Sequence, residues 1–164
     1  MTDWVVDSEE RFLAFHDATV RDAYRYASRL AGGDRYRAEE LVQDAYYELL
    51  RQVRAGALRE VGPGWVVVTI RHRFLDGLRN REREERRLRL VWSRPDASER
   101  HSPSDGGVLD GALLSDRERA ALTLRYVDDL PVADVAAAIG TTVRATESLL
   151  ARARARVRAE VRDA

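Results

Sequence analysis

Residues 115–161 read SDRERAALTLRYVDDLPVADVAAAIGTTVRATESLLARARARVRAEV. Ser115 and Glu118 have the spacing of a capping box, in which each side chain satisfies a backbone donor left open at a helix start. Pro131 suits the first position of the next helix, and Gly140 can take the left-handed conformation that ends it. A third helix is predicted from Val143 to Val161. The stretch therefore predicts a helix-turn-helix.

The last of these helices has two chemically different sides. At about 100° per residue, the apolar side holds Val143, Leu150, Ala153, Val157 and Val161, and the outward side holds Arg144, Ser148, Ala151 and Arg152. The first side is expected to pack, and the second is suited to a DNA major groove. An ordinary amphipathic hairpin with a solvated arginine face has the same spacing, so this pattern alone leaves both interpretations open.

The charge balance limits how the chain can bind nucleic acid. Its 164 residues carry 28 basic and 28 acidic groups, so any contact with DNA must come from local patches. All of the basic residues are Arg, which a GC-rich genome would explain.

Several function classes have no support in the sequence. The chain has no Cys, and its three histidines, His16, His72 and His101, lie far apart, so neither a metal site nor a cofactor is expected. No catalytic motif is present, and an enzyme is the least supported class. The longest apolar run, Trp65 to Val68, is too short to cross a membrane, and a cytoplasmic protein without membrane insertion is expected.

The N-terminal part begins with two predicted helices. Ser8 can cap the first, which runs to Leu30 and ends at Gly32-Gly33. Along this first helix, Phe12, His16, Thr19, Ala23, Tyr26 and Leu30 recur at helical intervals and form the stripe that is expected to pack. The second helix is predicted from Arg37 to Arg54, with Ala38, Leu41, Val42, Ala45, Leu49 and Val53 facing inward.

The other side of the second helix is acidic. It holds Glu39, Glu40, Gln43, Asp44, Tyr47 and Glu48, within a half-chain (residues 1–50) of 11 acidic groups and 6 Arg. Such a surface would be repelled by DNA, so it is either a solvated face or a protein-docking surface. Periodicity does not separate these two interpretations.

A loop at residues 55–64 precedes a third predicted helix that starts near Trp65. Its inward stripe is Val67, Ile70, Phe74 and Leu78, and its opposite face holds Trp65, His72, Asp76, Arg79 and Arg83. An aromatic ring among arginines suits single-stranded nucleic acid, because bases stack on the ring while guanidinium groups hold phosphates. A surface helix with internal ion pairs such as Glu82 to Arg86 is the alternative.

Residues 91–108 are rich in Ser, Pro and Gly and predict a flexible linker. The fold class expected is therefore all-α, with two small helical domains at residues 1–90 and 109–164, of which the second is a helix-turn-helix.

Three motifs resemble a bacterial RNA polymerase sigma factor of the extracytoplasmic-function (ECF) group. Ala38-Glu-Glu-Leu-Val-Gln-Asp44 resembles the helix that docks on the clamp helices of the polymerase beta-prime subunit. The segment from Trp65 to Arg79 resembles the helix that meets the minus-ten promoter element. Ser115 to Arg154 resembles the domain that reads the minus-thirty-five element. The three motifs occur in the order and spacing of the family, and the resemblance covers nearly the whole chain.

The resemblance implies a set of partners and contact residues. The partners are core RNA polymerase (beta-prime clamp helices and beta flap), promoter DNA and an anti-sigma factor. Polymerase contacts map to Glu40, Gln43 and Asp44. Minus-ten contacts map to Trp65, Arg71, His72, Arg79 and Arg83, beside a loop ending at Gly64 that would hold a flipped base. Minus-thirty-five contacts map to Arg125, Thr142, Arg144, Ser148, Ala151 and Arg152.

Three residues depart from the family pattern. Glu147 and Leu149 stand where relatives often have basic residues, and His72 stands where Asn is frequent. These differences leave the expected fold unchanged and concern the promoter sequence.

Two other functions fit parts of the pattern. A one-component helix-turn-helix regulator would bind duplex DNA without polymerase, but it would not need the acidic helix at Glu39 to Glu48. A polymerase-binding or anti-sigma-type interaction protein would bind no DNA, but it would not need the arginine face between Val143 and Val161. Only a protein that bridges polymerase and DNA uses both surfaces.

Overall fold

The computed structural model describes residues 3–57, 60–91 and 114–163, which divide between Phe74 and Leu75 into a first and a second compact unit. In chain order the elements are β1 (Trp4–Val5), α1 (Glu9–Ala31), α2 (Arg35–Arg54), β2 (Glu60–Val61), α3 (Pro63–Val91), α4 (Asp116–Tyr126), α5 (Val132–Ile139) and α6 (Val143–Asp163). The predicted all-α fold is confirmed. Apart from Val91, which ends α3, the predicted linker lies outside the described residues.

Local capping signals account for both ends of α1 and for the start of α2. The Ser8 side chain accepts from the Arg11 backbone N–H, and Gly32 takes φ 64° at the end of α1. Asp34 caps α2 through the Arg37 backbone N–H, so this helix starts two residues earlier than expected. These caps satisfy donors and carbonyls that a helix leaves open at its ends.

The core of the first unit is centred on a residue outside the predicted stripe. Phe15 is fully buried, whereas Phe12 and His16 remain partly exposed. On α2, Tyr46 is buried in addition to the expected residues, and its hydroxyl lies 2.7 Å from the Thr19 hydroxyl. Val53, which was expected inside, is only partly buried. The other residues of the predicted α1 stripe, Thr19, Ala23, Tyr26 and Leu30, are buried as expected. Phe15 and Tyr46 therefore extend the predicted core.

A short antiparallel ribbon was not predicted. Trp4 pairs with Val61 and Val5 with Glu60, and the Trp4 ring packs edge-on against Phe15 with centroids 5.9 Å apart. Each strand has two residues. Two residues are too few for the alternation by which a strand is identified in a sequence.

Helix α3 begins at Pro63, with Pro in the first turn, where its missing N–H costs nothing. Gly64, predicted as the end of the loop, thus lies inside the helix. In the first unit, α3 buries Val66, Ile70 and Phe74. Val66 takes the core position predicted for Val67, which is partly exposed. The Arg37 guanidinium lies 4.6 Å from the centre of the Phe74 ring and so joins α2 to α3.

In the second unit, α4, α5 and α6 form the predicted helix-turn-helix. The capping box of Ser115 and Glu118 is present, and Gly140 ends α5 with φ 67°. Pro131 stands at the N-cap of α5, one position before the predicted one.

The buried side of α6 differs from the predicted one. Leu150 and Ala153 are buried as expected, but Val143 and Val161 are 45% and 66% exposed. Thr146 is fully buried, and its hydroxyl donates to the Thr142 carbonyl at 3.0 Å. An internal hydrogen bond removes the cost of burying a hydroxyl, which polarity alone does not reveal.

Phe15→Ala should lower the free energy of unfolding of the first unit by about 3–5 kcal/mol, because it leaves a cavity among α1, α2 and Trp4. Leu13→Ala is the control, since this α1 side chain is 52% exposed. Urea unfolding of the full chain, followed by circular dichroism and tryptophan fluorescence, measures both. Equal midpoint shifts for the two variants would contradict the assigned core.

Candidate functional site

The first candidate surface is the outward side of α2. Glu40, Gln43 and Asp44 are exposed, while Leu41, Ala45 and Leu49 on the other side are buried. The burial of this apolar stripe fixes which way the helix faces. The three residues that the resemblance assigns to polymerase docking therefore lie together on one solvent-facing side.

The acids of α2 differ in whether the chain itself neutralises them. Glu39 accepts from Arg35 at 2.8 Å, and Glu48 forms ion pairs with Arg51 and Arg73. Glu40 and Asp44 make no ion pair with any residue in the described ranges 3–57, 60–91 and 114–163. The acidic face seen in the sequence thus reduces to two central carboxylates that a basic partner can reach.

Glu48 has a structural role. The hydrogen bonds donated by Arg51 and then Gln52 hold the pKa of its carboxyl well below its ordinary value of 4.5, at about 2. The Arg73 guanidinium of α3 lies 3.3 Å from the same carboxylate, whose side chain is only 15% exposed. Glu48 therefore links α2 to α3, an assignment that the sequence alone did not make.

The second candidate surface is the first half of α3 with the segment before it. Trp65 is half-buried and its backbone N–H donates to the Gly62 carbonyl at 3.0 Å. His72 is exposed and Arg71 is partly exposed. A Cβ at Gly62 would lie 3.1 Å from a carboxylate oxygen of Asp3, so a side chain at this position would crowd Asp3.

The remaining predicted minus-ten residues lie in the second unit. Arg79 donates to Asp76 at 3.1 Å and to the Ala138 carbonyl at 2.6 Å, and it is partly buried. Arg83 is exposed. Arg79 thus uses part of its guanidinium on acceptors of its own unit, whereas Arg83 faces solvent.

The third candidate surface is the outward side of α6. Arg144, Ser148, Ala151 and Arg152 are all exposed, as the spacing predicts. Thr142 is exposed as well, and its hydroxyl accepts from the Ala145 backbone N–H at 3.2 Å, so it also caps the helix. The exposed arginines of this helix are electrostatically suited to a phosphate backbone.

Arg125 holds the turn after α4. It donates to the Leu130 carbonyl at 3.2 Å and to Asp129 at 3.4 Å, and Asp129 takes the unusual φ of 53°. Few non-glycine residues adopt a positive φ, so this turn depends on local partners. Arg125 remains partly exposed.

Glu147 and Leu149 border the α6 surface. Glu147 is exposed and Leu149 is partly buried. In the part of the chain that the structure describes, Glu147 pairs with neither Arg144 nor Arg154. Arg154 instead donates to the Tyr126 hydroxyl at 3.1 Å. Glu147 therefore presents a free carboxylate beside the arginines.

Sequence reasoning missed the long-range contact that fixes α6 against α4. Arg156 donates to Glu118 at 2.9 Å, and the Glu118 side chain is only 5% exposed. The capping box identified Glu118 as a helix-start residue, but its partner lies 38 residues away. No sequence periodicity relates positions so far apart.

Within the described residues, no group of acidic, His or Cys side chains has a metal-binding arrangement, and no helix has the length and hydropathy needed to cross a membrane.

Two family models match the chain. Residues 15–84 match the family model of Sigma-70 region 2, and residues 112–157 match that of Sigma-70, region 4. Together these matches span more than half of the chain. No curated protein sequence matches it.

Several solved structures resemble the chain, including the following two. A chain in the complex of the sigma factor RpoE with the anti-sigma factor NepR from Bartonella quintana is 21% identical, with a TM-score of 0.53, and the match covers 93% of this chain and 98% of that one. A chain in the RsbN–BldN complex is 21% identical, with a TM-score of 0.36, over 90% and 89% of the two chains. The first likeness supports the fold.

Glu48→Gln should remove part of the pH dependence of stability. Since the folded pKa of Glu48 is about 2 and the ordinary value is 4.5, its charge stabilises the fold fully above about pH 4.5 and progressively less as the pH falls toward 2. The difference in Tm between parent and variant should therefore be constant near neutrality and shrink between pH 4.5 and 2.

Glu40→Gln is the matched control on the same helix, because Glu40 is exposed and pairs with no described residue. Its Tm difference from the parent should not change with pH in the same way. Thermal unfolding at stepped pH values measures both variants. A Glu48→Gln difference that persists unchanged at pH 2 would rule out the proposed role of this carboxylate.

Proposed function

This chain belongs to the sigma-70 family of bacterial RNA polymerase sigma factors, and on that premise we propose that it recruits core polymerase to a small promoter set and melts the minus-ten region. The observation that carries the proposal is the presence of region 2 and region 4, in that order, in one chain. The matched regions are those on which the resemblance to the ECF group rests. As a sigma factor it acts in transcription initiation and is not an enzyme.

Docking on core polymerase is assigned to Glu40, Gln43 and Asp44. This assignment is supported by the pattern of ion pairs on α2. The neighbouring carboxylates Glu39 and Glu48 are neutralised, whereas Glu40 and Asp44 are left for a partner. The proposed partner surface is the beta-prime clamp helices, and the beta flap is proposed to contact the second unit. Opposite charges at such an interface steer association and fix register.

Melting is assigned to α3. The half-buried Trp65 is proposed to stack with an unpaired base, near the loop that would hold a flipped base, while Arg71, His72, Arg79 and Arg83 contact the backbone. The β1–β2 pairing supports this role because it fixes the segment just before Pro63.

Minus-thirty-five binding is assigned to α6 and its neighbours, with Arg144, Ser148, Ala151 and Arg152 in the major groove and Arg125 and Thr142 at the phosphates. The free carboxylate of Glu147 repels nearby phosphates, so the isolated domain should bind weakly.

An anti-sigma factor is proposed as the regulator, since the structure with the higher TM-score holds a sigma factor together with one. The cytoplasm is the proposed location. The one-component regulator remains the alternative. Transcription in vitro with purified core enzyme decides between them, because a regulator would bind promoters but would not support initiation without another sigma factor.

Reversing charge with Glu40→Arg and Asp44→Arg together should weaken binding to core polymerase by about 2–5 kcal/mol. The reason is that each substitution removes a carboxylate that would pair with a cation of the polymerase and puts a repelling charge in its place. The control is Asp17→Arg with Asp22→Arg, the same charge change at exposed acids of α1. Binding of labelled protein to core enzyme measures the effect, and circular dichroism checks the fold. Unchanged affinity of the α2 variant would exclude this docking surface.

Arg152→Ala should cost about 1–3 kcal/mol in promoter binding, with lost discrimination at one base pair or a shallower salt dependence. Glu147→Arg should strengthen binding and broaden the promoters accepted, because it removes a repulsive charge. Arg158→Ala is the control on the same helix. Selection from randomised promoters compares all four proteins, and identical preferences and affinities would show that this face does not touch DNA.

A further inference from the structure

Two exposed tyrosines flank the acidic docking residues of α2. Tyr36 is 85% exposed and Tyr47 is 71% exposed. They are 11 positions apart, so at about 100° per residue their side chains leave the helix within about 20° of each other and about 16 Å apart along its axis. Glu40, Gln43 and Asp44 lie between them. These five residues, here called the α2 stripe, occupy an arc of about 100°.

The exposure of these rings is selective. Tyr46, next to Tyr47 in sequence, is only 7% exposed, its hydroxyl lies 2.7 Å from that of Thr19, and its ring packs against His16 with centroids 4.7 Å apart. Tyr36 and Tyr47 have no ring contact and no side-chain hydrogen bond to any residue that the structure describes. Tyr46 is therefore part of the core, whereas the rings of Tyr36 and Tyr47 are exposed to solvent.

The charges of the stripe define the chemistry of what covers it. Glu40 and Asp44 are the α2 carboxylates left unpaired, whereas Glu39 and Glu48 are neutralised by arginines of the same chain. A partner that satisfies this surface must offer cations between two apolar contacts, with a spacing of about three helical turns. A basic helical surface provides that arrangement.

We propose that Tyr36 and Tyr47 are the aromatic anchors with which the α2 stripe binds core RNA polymerase, on either side of the carboxylates. The inference rests on the proposed function. It adds two residues to the docking surface and gives the rings and the carboxylates different roles. The rings contribute buried area, since a tyrosine can bury about 150–250 Å² with few rotatable bonds. The carboxylates contribute orientation and association rate. Aromatic anchors of this kind carry much of the binding energy of protein interfaces.

The test compares full-length Tyr36→Ala, Tyr47→Ala and the double variant for binding to purified core polymerase. Each single change should weaken binding about tenfold or more, mainly through faster dissociation. Tyr36→Phe and Tyr47→Phe should retain near-parent affinity, because the ring rather than the hydroxyl makes the contact. Tyr24→Ala is the control, a 37% exposed tyrosine on α1. Circular dichroism should show unchanged folding, since both anchors are exposed.

The kinetics separate the anchors from the carboxylates. The charge-reversed variant of Glu40 and Asp44 should mainly lower the association rate and its salt dependence, whereas the alanine variants should mainly raise the dissociation rate. If charge reversal abolishes binding while the alanine variants bind like the parent, the anchors are excluded and the docking assignment stands. If neither set affects binding, the docking assignment itself fails.

A second copy of the chain is the competing occupant of the stripe. Sedimentation of the parent and the double alanine variant at several concentrations detects it. A parent dimer that dissociates on substitution, with polymerase affinity unchanged, would overturn the proposal in favour of self-association.

Discussion

The burial of one side of α2 is the constraint on which the first unit depends. Ala38, Ala45 and Leu49 are fully buried against the rest of the unit, so the helix cannot rotate without exposing them. Glu48 adds a second restraint, because its carboxylate binds arginines from both α2 and α3. The outward residues are consequently held in one orientation, which is what a docking surface requires.

The arginines of the chain divide into those that hold the fold and those that face solvent. In the second unit, Arg117 donates to the Ile139 carbonyl at the end of α5, and Arg119 is 3% exposed and donates to the Leu114 carbonyl. A forked guanidinium can satisfy such carbonyls while pairing with a carboxylate. Arg144 and Arg152 of α6 remain outward. A neutral chain can thus still present a local basic surface to DNA.

The same division holds for the acids, so the proposed polymerase-docking surface is acidic. Glu39, Glu48 and Glu118 are neutralised by arginines within their own unit. The unpaired carboxylates Glu40 and Asp44 lie in the first unit, while the outward arginines of α6 lie in the second.

The sequence by itself determined the helices, the helix-turn-helix and the family, because caps, breakers and apolar periodicity are local signals that nearby residues specify. It also determined that the outward residues include Glu40, Gln43 and Asp44 of α2 and Arg144, Ser148, Ala151 and Arg152 of α6. Only the tertiary structure decided that Phe15 and Thr146 are core residues, since both are fully buried although neither lies in the stripe that periodicity predicts. Only the tertiary structure distinguished the paired carboxylates from the free ones. Arg73 pairs with Glu48 across 25 residues, and Arg156 pairs with Glu118 across 38 residues. Such contacts depend on how helices pack, and periodicity within one helix carries no information about that.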